Sequence, residues 1–210
     1  MDMNLIACAL SLFMLHACTF SPSVSRGVGR ISARILRPGH VPVFMNDAKM
    51  ITLTPNTQKP ITISTTGLIG CTATVLYAKD KTNHKHAILT HYSPACKKEQ
   101  LMALEQQTKI LRAHMPLYDS MKFLIIMPEE SFWCDQPTHN ANCLKMVNEL
   151  KTFIKEKSGH DNIQMLNATY SLPSTGKGYT AEVFATLSND TPSSFCMITD
   201  WKKGHGFELE

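Results

Sequence analysis

The chain has 210 residues, 43% of them hydrophobic and 18% charged, a size and balance that suit one folded domain and exclude a disordered chain. Its formal net charge of +4 is mild, and its Lys and Arg residues are scattered along the sequence except near the N-terminus. The one-faced basic patch interleaved with aromatics that marks nucleic-acid binders is missing, so nucleic acid is not among the expected partners. No fixed-period repeat is visible, which excludes a solenoid.

The apolar run from Leu5 to Leu15 has the length of a signal-peptide core and falls short of the roughly 20 residues that span a bilayer. Leu15-His16-Ala17-Cys18 then resembles a lipoprotein cleavage site. Arg26, Arg30, Arg34 and Arg37 follow with no acidic residue between Asp2 and Asp47. Residues 1–20 are accordingly read as a signal, 21–45 as a basic linker broken by Pro22, Gly27, Gly29, Pro38 and Gly39, and 46–210 as a single domain. A secreted or exported protein without a stable membrane span is expected. None of the seven cysteines (8, 18, 71, 96, 134, 143 and 196) makes a C-x-x-C pair, which argues against a zinc ribbon. Cys134 and Cys143 flank a polar loop and are the first candidates for a disulfide.

Within the domain, Lys49–Thr54 and Ile61–Thr65 alternate as strands around a Pro55-Asn56 turn. Cys71–Ala78 is the clearest strand, ended by the turn chemistry of Lys79-Asp80-Lys81-Thr82-Asn83, and Ala87–Tyr92 follows as its partner. Leu101, Leu104, Ile110 and Leu111 recur at helical spacing and predict a helix over 96–114. Lys122–Met127 reads as a short apolar strand. Leu144, Val147, Leu150 and Ile154 form one stripe of a helix over 142–157. Strands at Ile163–Tyr170, 179–187 and Ser194–Thr199 complete an expected α+β fold, an antiparallel sheet or sandwich core with flanking helices.

Cys71 sits directly after Gly67-Leu68-Ile69-Gly70 and before an apolar, β-branched run. With the hairpin turn centred near Lys81, Cys71 falls opposite His91, and directly opposed residues hold their Cβ atoms about 4.5 to 5.5 Å apart. His86 falls opposite Leu76, too far along the strand, so His91 is the preferred partner and His86 the alternative. A histidine beside a thiol can form the thiolate and imidazolium pair that makes a nucleophile. The glycines let the backbone turn tightly and bring N–H groups near a bound carbonyl. The bland alternative is a cysteine that fills core space.

The segment Leu68-Ile69-Gly70-Cys71, followed by Thr72-Ala73-Thr74-Val75 and a strand ending in histidine, resembles the Leu-x-Gly-Cys signature of the Cys/His glutamine deamidase superfamily. That group includes the catalytic domains of cytotoxic necrotizing factors, Burkholderia lethal factor and the chemoreceptor deamidases. Its toxin members carry serine where Ile69 stands. The resemblance covers residues 64–94. It implies the fold of that group and the hydrolysis of a glutamine carboxamide on a protein substrate by a monomeric secreted effector or toxin. It further implies Cys71 as nucleophile, His91 as general base and then acid, and Thr65, six residues before Cys71, as the group orienting the imidazole. No cofactor is implied.

Three other readings compete. His84, His86 and His91 raise a zinc site, but no acidic or cysteine partner stands at a convincing local spacing, so a solvated loop is the simpler account. A papain-like protease or acyltransferase would carry its cysteine at a helix N-terminus rather than ahead of a strand. A non-enzymatic exported binding module would use Cys71 only structurally.

Overall fold

A computed structural model of the chain describes residues 39–92, 105, 118–129, 145, 148–156, 163–172, 180–190, 193–200, 202 and 204–210. The chain divides into Met1–Arg37 and Pro38–Glu210, and the described residues all belong to the second unit. The signal and most of the linker, the 96–114 helix apart from the helical Glu105, and Cys134 and Cys143 lie outside the described residues.

Ten strands are described: β1 (His40–Pro42), β2 (Asp47–Leu53), β3 (Ile61–Leu68), β4 (Thr72–Asp80), β5 (Lys85–Tyr92), β6 (Tyr118–Pro128), β7 (Ile163–Tyr170), β8 (Ala181–Leu187), β9 (Phe195–Thr199) and β10 (Gly204–Glu208). They form two five-stranded sheets, one in the order β1-β3-β8-β9-β10 and the other β2-β5-β4-β6-β7. Each sheet is mixed. β1 pairs with β3 in parallel and β6 with β7 in parallel, while the remaining neighbours are antiparallel.

The expected α+β fold is corrected by this architecture. Strands make up 62% and helix 10% of the described residues, and the two sheets bury their faces against each other rather than beneath a helical layer. The larger core takes Ile51 and Leu53 from β2, Val75 and Tyr77 from β4 and Leu124 and Ile126 from β6. Ile63, Val183, Ala185 and Ile198 meet them from the opposing sheet. Of the two expected helices, the second is present over residues 148–156. There Leu150 and Ile154 pack on the outer face of the second sheet with Leu76, Ile88 and Phe123. β4 is buried at nearly every position, on both faces, because it has the opposing sheet on one side and this second cluster on the other. That explains why Val75, Leu76, Tyr77 and Ala78 run without a polar residue between them, and why even Thr72 and Thr74 are buried.

β1 lies inside the stretch read as linker, and β10 has no counterpart among the expected strands. Both are short and carry Pro or Gly, and β1 is held by a parallel pairing to a strand distant in sequence. No helix among the described residues is long and apolar enough to cross a membrane.

Candidate active site

The β4–β5 hairpin sets the geometry. Asp80 and His84 close its turn through an N–H to carbonyl bond of 3.0 Å, and Asn83 takes a left-handed conformation at φ 61°. Asparagine tolerates that conformation better than most residues, and it is the usual third position of a three-residue hairpin loop. This turn places Ala73, not Cys71, opposite His91. The expected register is thus corrected by two residues, because the turn is centred on Thr82 rather than Lys81. A shift of two keeps every side chain on its face. Cys71 becomes the diagonal neighbour of His91, a relation that separates residues by about 7 to 8 Å.

Strand alternation then sorts the histidines. Ala73, Val75, Ala87 and Leu89 belong to the core between the sheets, whereas Leu76, Ala78 and Ile88 belong to the outer cluster. His91 follows the odd-numbered set toward the opposing sheet. His86, an even position, points to the other side, where its Nδ1 lies 3.0 Å from Thr52 Oγ1. His84 and His86 stand 3.5 and 3.7 Å from the Asp80 carboxylate. The three histidines therefore do not converge, and no group of three His, Cys, Asp or Glu suited to a metal ion occurs among the described residues.

Thr65, on β3 of the opposing sheet, meets His91 across the interior. Its Oγ1 is 2.8 Å from His91 Nδ1 and 2.9 Å from the Val43 carbonyl. A carbonyl only accepts, so the single hydroxyl proton goes to Val43, and Nδ1–H of His91 donates to Thr65. This arrangement fixes the tautomer. Nε2 keeps a bare lone pair, and it is buried without a hydrogen-bond partner among the described residues. Asn46, left-handed at φ 63°, donates its N–H to the His91 carbonyl at 2.7 Å. The 43–46 turn thus holds both Thr65 and His91.

Cys71 immediately precedes β4. Gly67 and Gly70 adopt φ 79° and 70°, a region where a Cβ is strained. The first lies where the β3–β8 register shifts between Thr65 and Leu68, and the second turns the chain into Cys71. The Cys71 Sγ lies 3.8 Å from the Ile69 carbonyl, and the Cys71 carbonyl accepts a 2.8 Å bond from the buried Tyr170 hydroxyl at the end of β7. Cys71 and Cys196 are free thiols.

Burial dominates the electrostatics. It pushes the Cys71 thiol up, outweighing the opposing effect of its contact with Ile69, and pulls His91 down to about 4. Both groups are neutral near pH 7, so the resting state is a thiol and an imidazole base set diagonally across the hairpin rather than a thiolate and imidazolium pair.

Val43, Asn46 and Tyr170 escaped the sequence reading. Val43 and Asn46 bracket the boundary assigned between linker and domain. Tyr170 ends a strand whose parallel pairing leaves no local mark, although a tyrosine closing an apolar strand does signal a buried ring with a hydroxyl to satisfy.

No family model and no curated protein sequence matches the chain. Among solved structures, it is similar to the C-terminal domain of CNFy from Yersinia pseudotuberculosis, with a TM-score of 0.35 and 12% identity over 80% of this chain. The chain spans 61% of the length of that domain.

Proposed function

We propose that the chain is a cysteine-dependent protein-glutamine deamidase. Cys71 is the nucleophile, His91 the general base and Thr65 the group that orients the imidazole. The observation that carries this reading is the Val43–Thr65–His91 hydrogen-bond chain, which leaves a buried, unprotonated Nε2 on the face that Cys71 shares. The Leu68-Ile69-Gly70-Cys71 motif supplies the reaction class.

As Sγ attacks the carboxamide carbon, its proton passes to Nε2. The tetrahedral intermediate collapses with cleavage of the C–N bond, and the imidazolium returns the proton to the leaving nitrogen, so that ammonia departs. Water then gives a proton to Nε2 and attacks the thioester, and the thiolate leaves and recovers that proton. Glutamine and water thereby become glutamate and ammonia. Since both groups rest neutral, the proton moves during attack, when a substrate has displaced water from the site. Export of the protein through its N-terminal apolar segment belongs to the same proposal.

One observation favours a second reading: Cys71 is only 7% exposed and belongs to the core cluster, as suits a structural cysteine in a binding module. Mass spectrometry of candidate substrate proteins decides between them. Conversion of glutamine to glutamate with ammonia release, abolished in Cys71→Ser while circular dichroism stays unchanged, is the expected result. Conversion that persists in Cys71→Ser overturns the proposal, and the lack of both conversion and thiol alkylation in the parent favours the structural cysteine.

A further inference from the structure

Four large hydrophobic residues are exposed among the described residues: Phe44 at 68%, Met45 at 58%, Ile69 at 52% and Met197 at 40%. Met197 stands alone within β9. The other three sit on two turns, and these are the turns whose main chain touches the candidate machinery. Residues 43–46 hold Thr65 through the Val43 carbonyl and His91 through the Asn46 N–H. Ile69 reaches the Cys71 Sγ with its carbonyl. The pairings put both turns at one end of the sandwich, since Asp47 at the start of β2 pairs with His91, and Thr72 at the start of β4 pairs with Tyr92.

We infer that Phe44, Met45 and Ile69 form an apolar lip that receives the side chains flanking the target glutamine, so that the preferred substrate presents its glutamine between apolar neighbours. This rests on the deamidase reading and names its substrate class. The thiol explains why a lip is needed. A carboxamide must reach a sulfur that is nearly covered, and it must do so with water removed, because His91 accepts the proton only as a buried neutral base. An apolar flank laid over the lip drives that desolvation, whereas a charged or strongly hydrated flank resists it. The Lys49 ammonium lies 5.2 Å from the centre of the Phe44 ring, but it is already engaged by the Pro42 carbonyl at 2.6 Å and by Asp47 at 3.8 Å. It steadies the ring and adds no unpaired charge to recognise an acidic flank. Three exposed apolar side chains on two turns beside one site suit a surface that a substrate covers.

The test compares two capped peptides of equal length, one with Leu-Gln-Leu and one with Ser-Gln-Ser at its centre, by ammonia release. The parent should prefer the first by roughly tenfold in kcat/KM, the scale on which a small apolar contact discriminates. That preference should fall close to unity in the triple variant Phe44→Ser, Met45→Ser, Ile69→Ser. A parallel readout is independent of deamidation: the rate of Cys71 alkylation by N-hexyl iodoacetamide relative to iodoacetamide itself. This ratio should be high in the parent and drop in the triple variant. If neither peptide releases ammonia but the alkylation ratio behaves as stated, the role toward glutamine fails with the deamidase reading, and what stands is an apolar lip over Cys71 alone. A preference that survives the triple substitution, or no preference in the parent by either readout, overturns the lip. So does concentration-dependent self-association, or binding to phosphatidylcholine vesicles, that the triple variant abolishes, since the surface would then serve a second copy or a lipid.

Discussion

Where β4 turns into β5, polar side chains are matched with partners. Asp80 accepts bonds from the Thr82 N–H, the Thr82 hydroxyl and the His84 N–H at 2.7 to 2.9 Å. Lys85, almost fully buried, bonds the Ser188 carbonyl and the Glu210 carboxylate, and Ser194 Oγ bonds the same carboxylate at 3.1 Å. The Asn189 amide reaches the carbonyls of Thr54 and Thr57. At the opposite end, around Cys71, the chain passes through left-handed glycines, a histidine nitrogen is buried without a described partner, and large apolar side chains face solvent. One end spends its polar groups in tying the two sheets together, and the other, where Thr65 also joins His91 across the sheets, still keeps a buried nitrogen and apolar surface unspent. Such an asymmetry is what a rigid scaffold carrying a reactive site requires.

The strongest way to break this contrast is to remove the tie. Lys85→Ala strips the Glu210 carboxylate and the Ser188 carbonyl of a shared donor in a mostly dry setting. Breaking a buried pair by deleting one partner costs about 3 to 5 kcal/mol, and the partial exposure of Glu210 puts this case at the lower end. A urea titration should show the loss in its midpoint, while the alkylation rate of Cys71 in the folded protein stays within about twofold of the parent, as independent distant sites do. An equal disturbance at Cys71 would mean that the two ends are not separable.

Acidification separates the ends by window. His91 has its pKa lowered from 6.5 to about 4 by burial, so the folded state disfavours a proton that the unfolded chain accepts. The stability this contributes is complete above pH 6.5 and is lost as pH falls toward 4, at up to about 1.4 kcal/mol per pH unit. At the other end, Glu210 starts from 4.5 and Asp80 from 3.8. In each, burial works to raise the value but is outweighed by hydrogen bonds, from Lys85 and Ser194 to Glu210 and from Thr82 and His84 to Asp80. Both carboxyls are held low, so their contribution survives until pH drops below 4.5. Amide protection, taken relative to the intrinsic exchange rate at each pH, should therefore fall around residues 43–46 and 91 between pH 6.5 and 4, before it does around residues 80–85. The reverse order would show that His91 is not buried neutral.

The legible parts of the molecule were those with local signals. The sequence predicts a strand over Ile163–Tyr170, the bounds found in the structure, and the Thr, Val, Leu and Tyr content of β4 announces another. The register between β4 and β5 was misplaced by two because Lys79 to Asn83 offers turn residues at every position, and only the hydrogen bond between Asp80 and His84 decides which of them form the loop. The two edge strands of the β1-β3-β8-β9-β10 sheet escaped the reading for a different reason. The first contains Pro42 and the last contains Gly204 and Gly206, residues that weaken any local strand signal and are tolerated here at sheet edges. Of the candidate site, Cys71 and His91 stand out because of the glycines and the hairpin, and Thr65 only through the resemblance to the deamidase signature. Their support from Val43 and Tyr170 does not stand out, since sequence separations of 22 and 99 residues leave no pattern to read.

Tyr170 gives the smallest and most local of these tests. Its ring is fully buried in the core between the sheets, and its hydroxyl is the group that fixes the Cys71 carbonyl at 2.8 Å. Tyr170→Phe keeps the ring and removes one bond, leaving a carbonyl short of a donor at the point where Gly70 has already bent the chain. The loss in stability should be about 1 kcal/mol. Because that bond anchors the residue bearing the thiol, the same change should free the 70–71 turn to open. Cys71 alkylation should then accelerate by roughly fivefold, the ratio that corresponds to such an energy. If Tyr170→Phe lowers the urea midpoint but leaves Cys71 alkylation at the parent rate, the tyrosine stabilises the core without positioning the sulfur. The candidate nucleophile would then be held by the glycine turn alone.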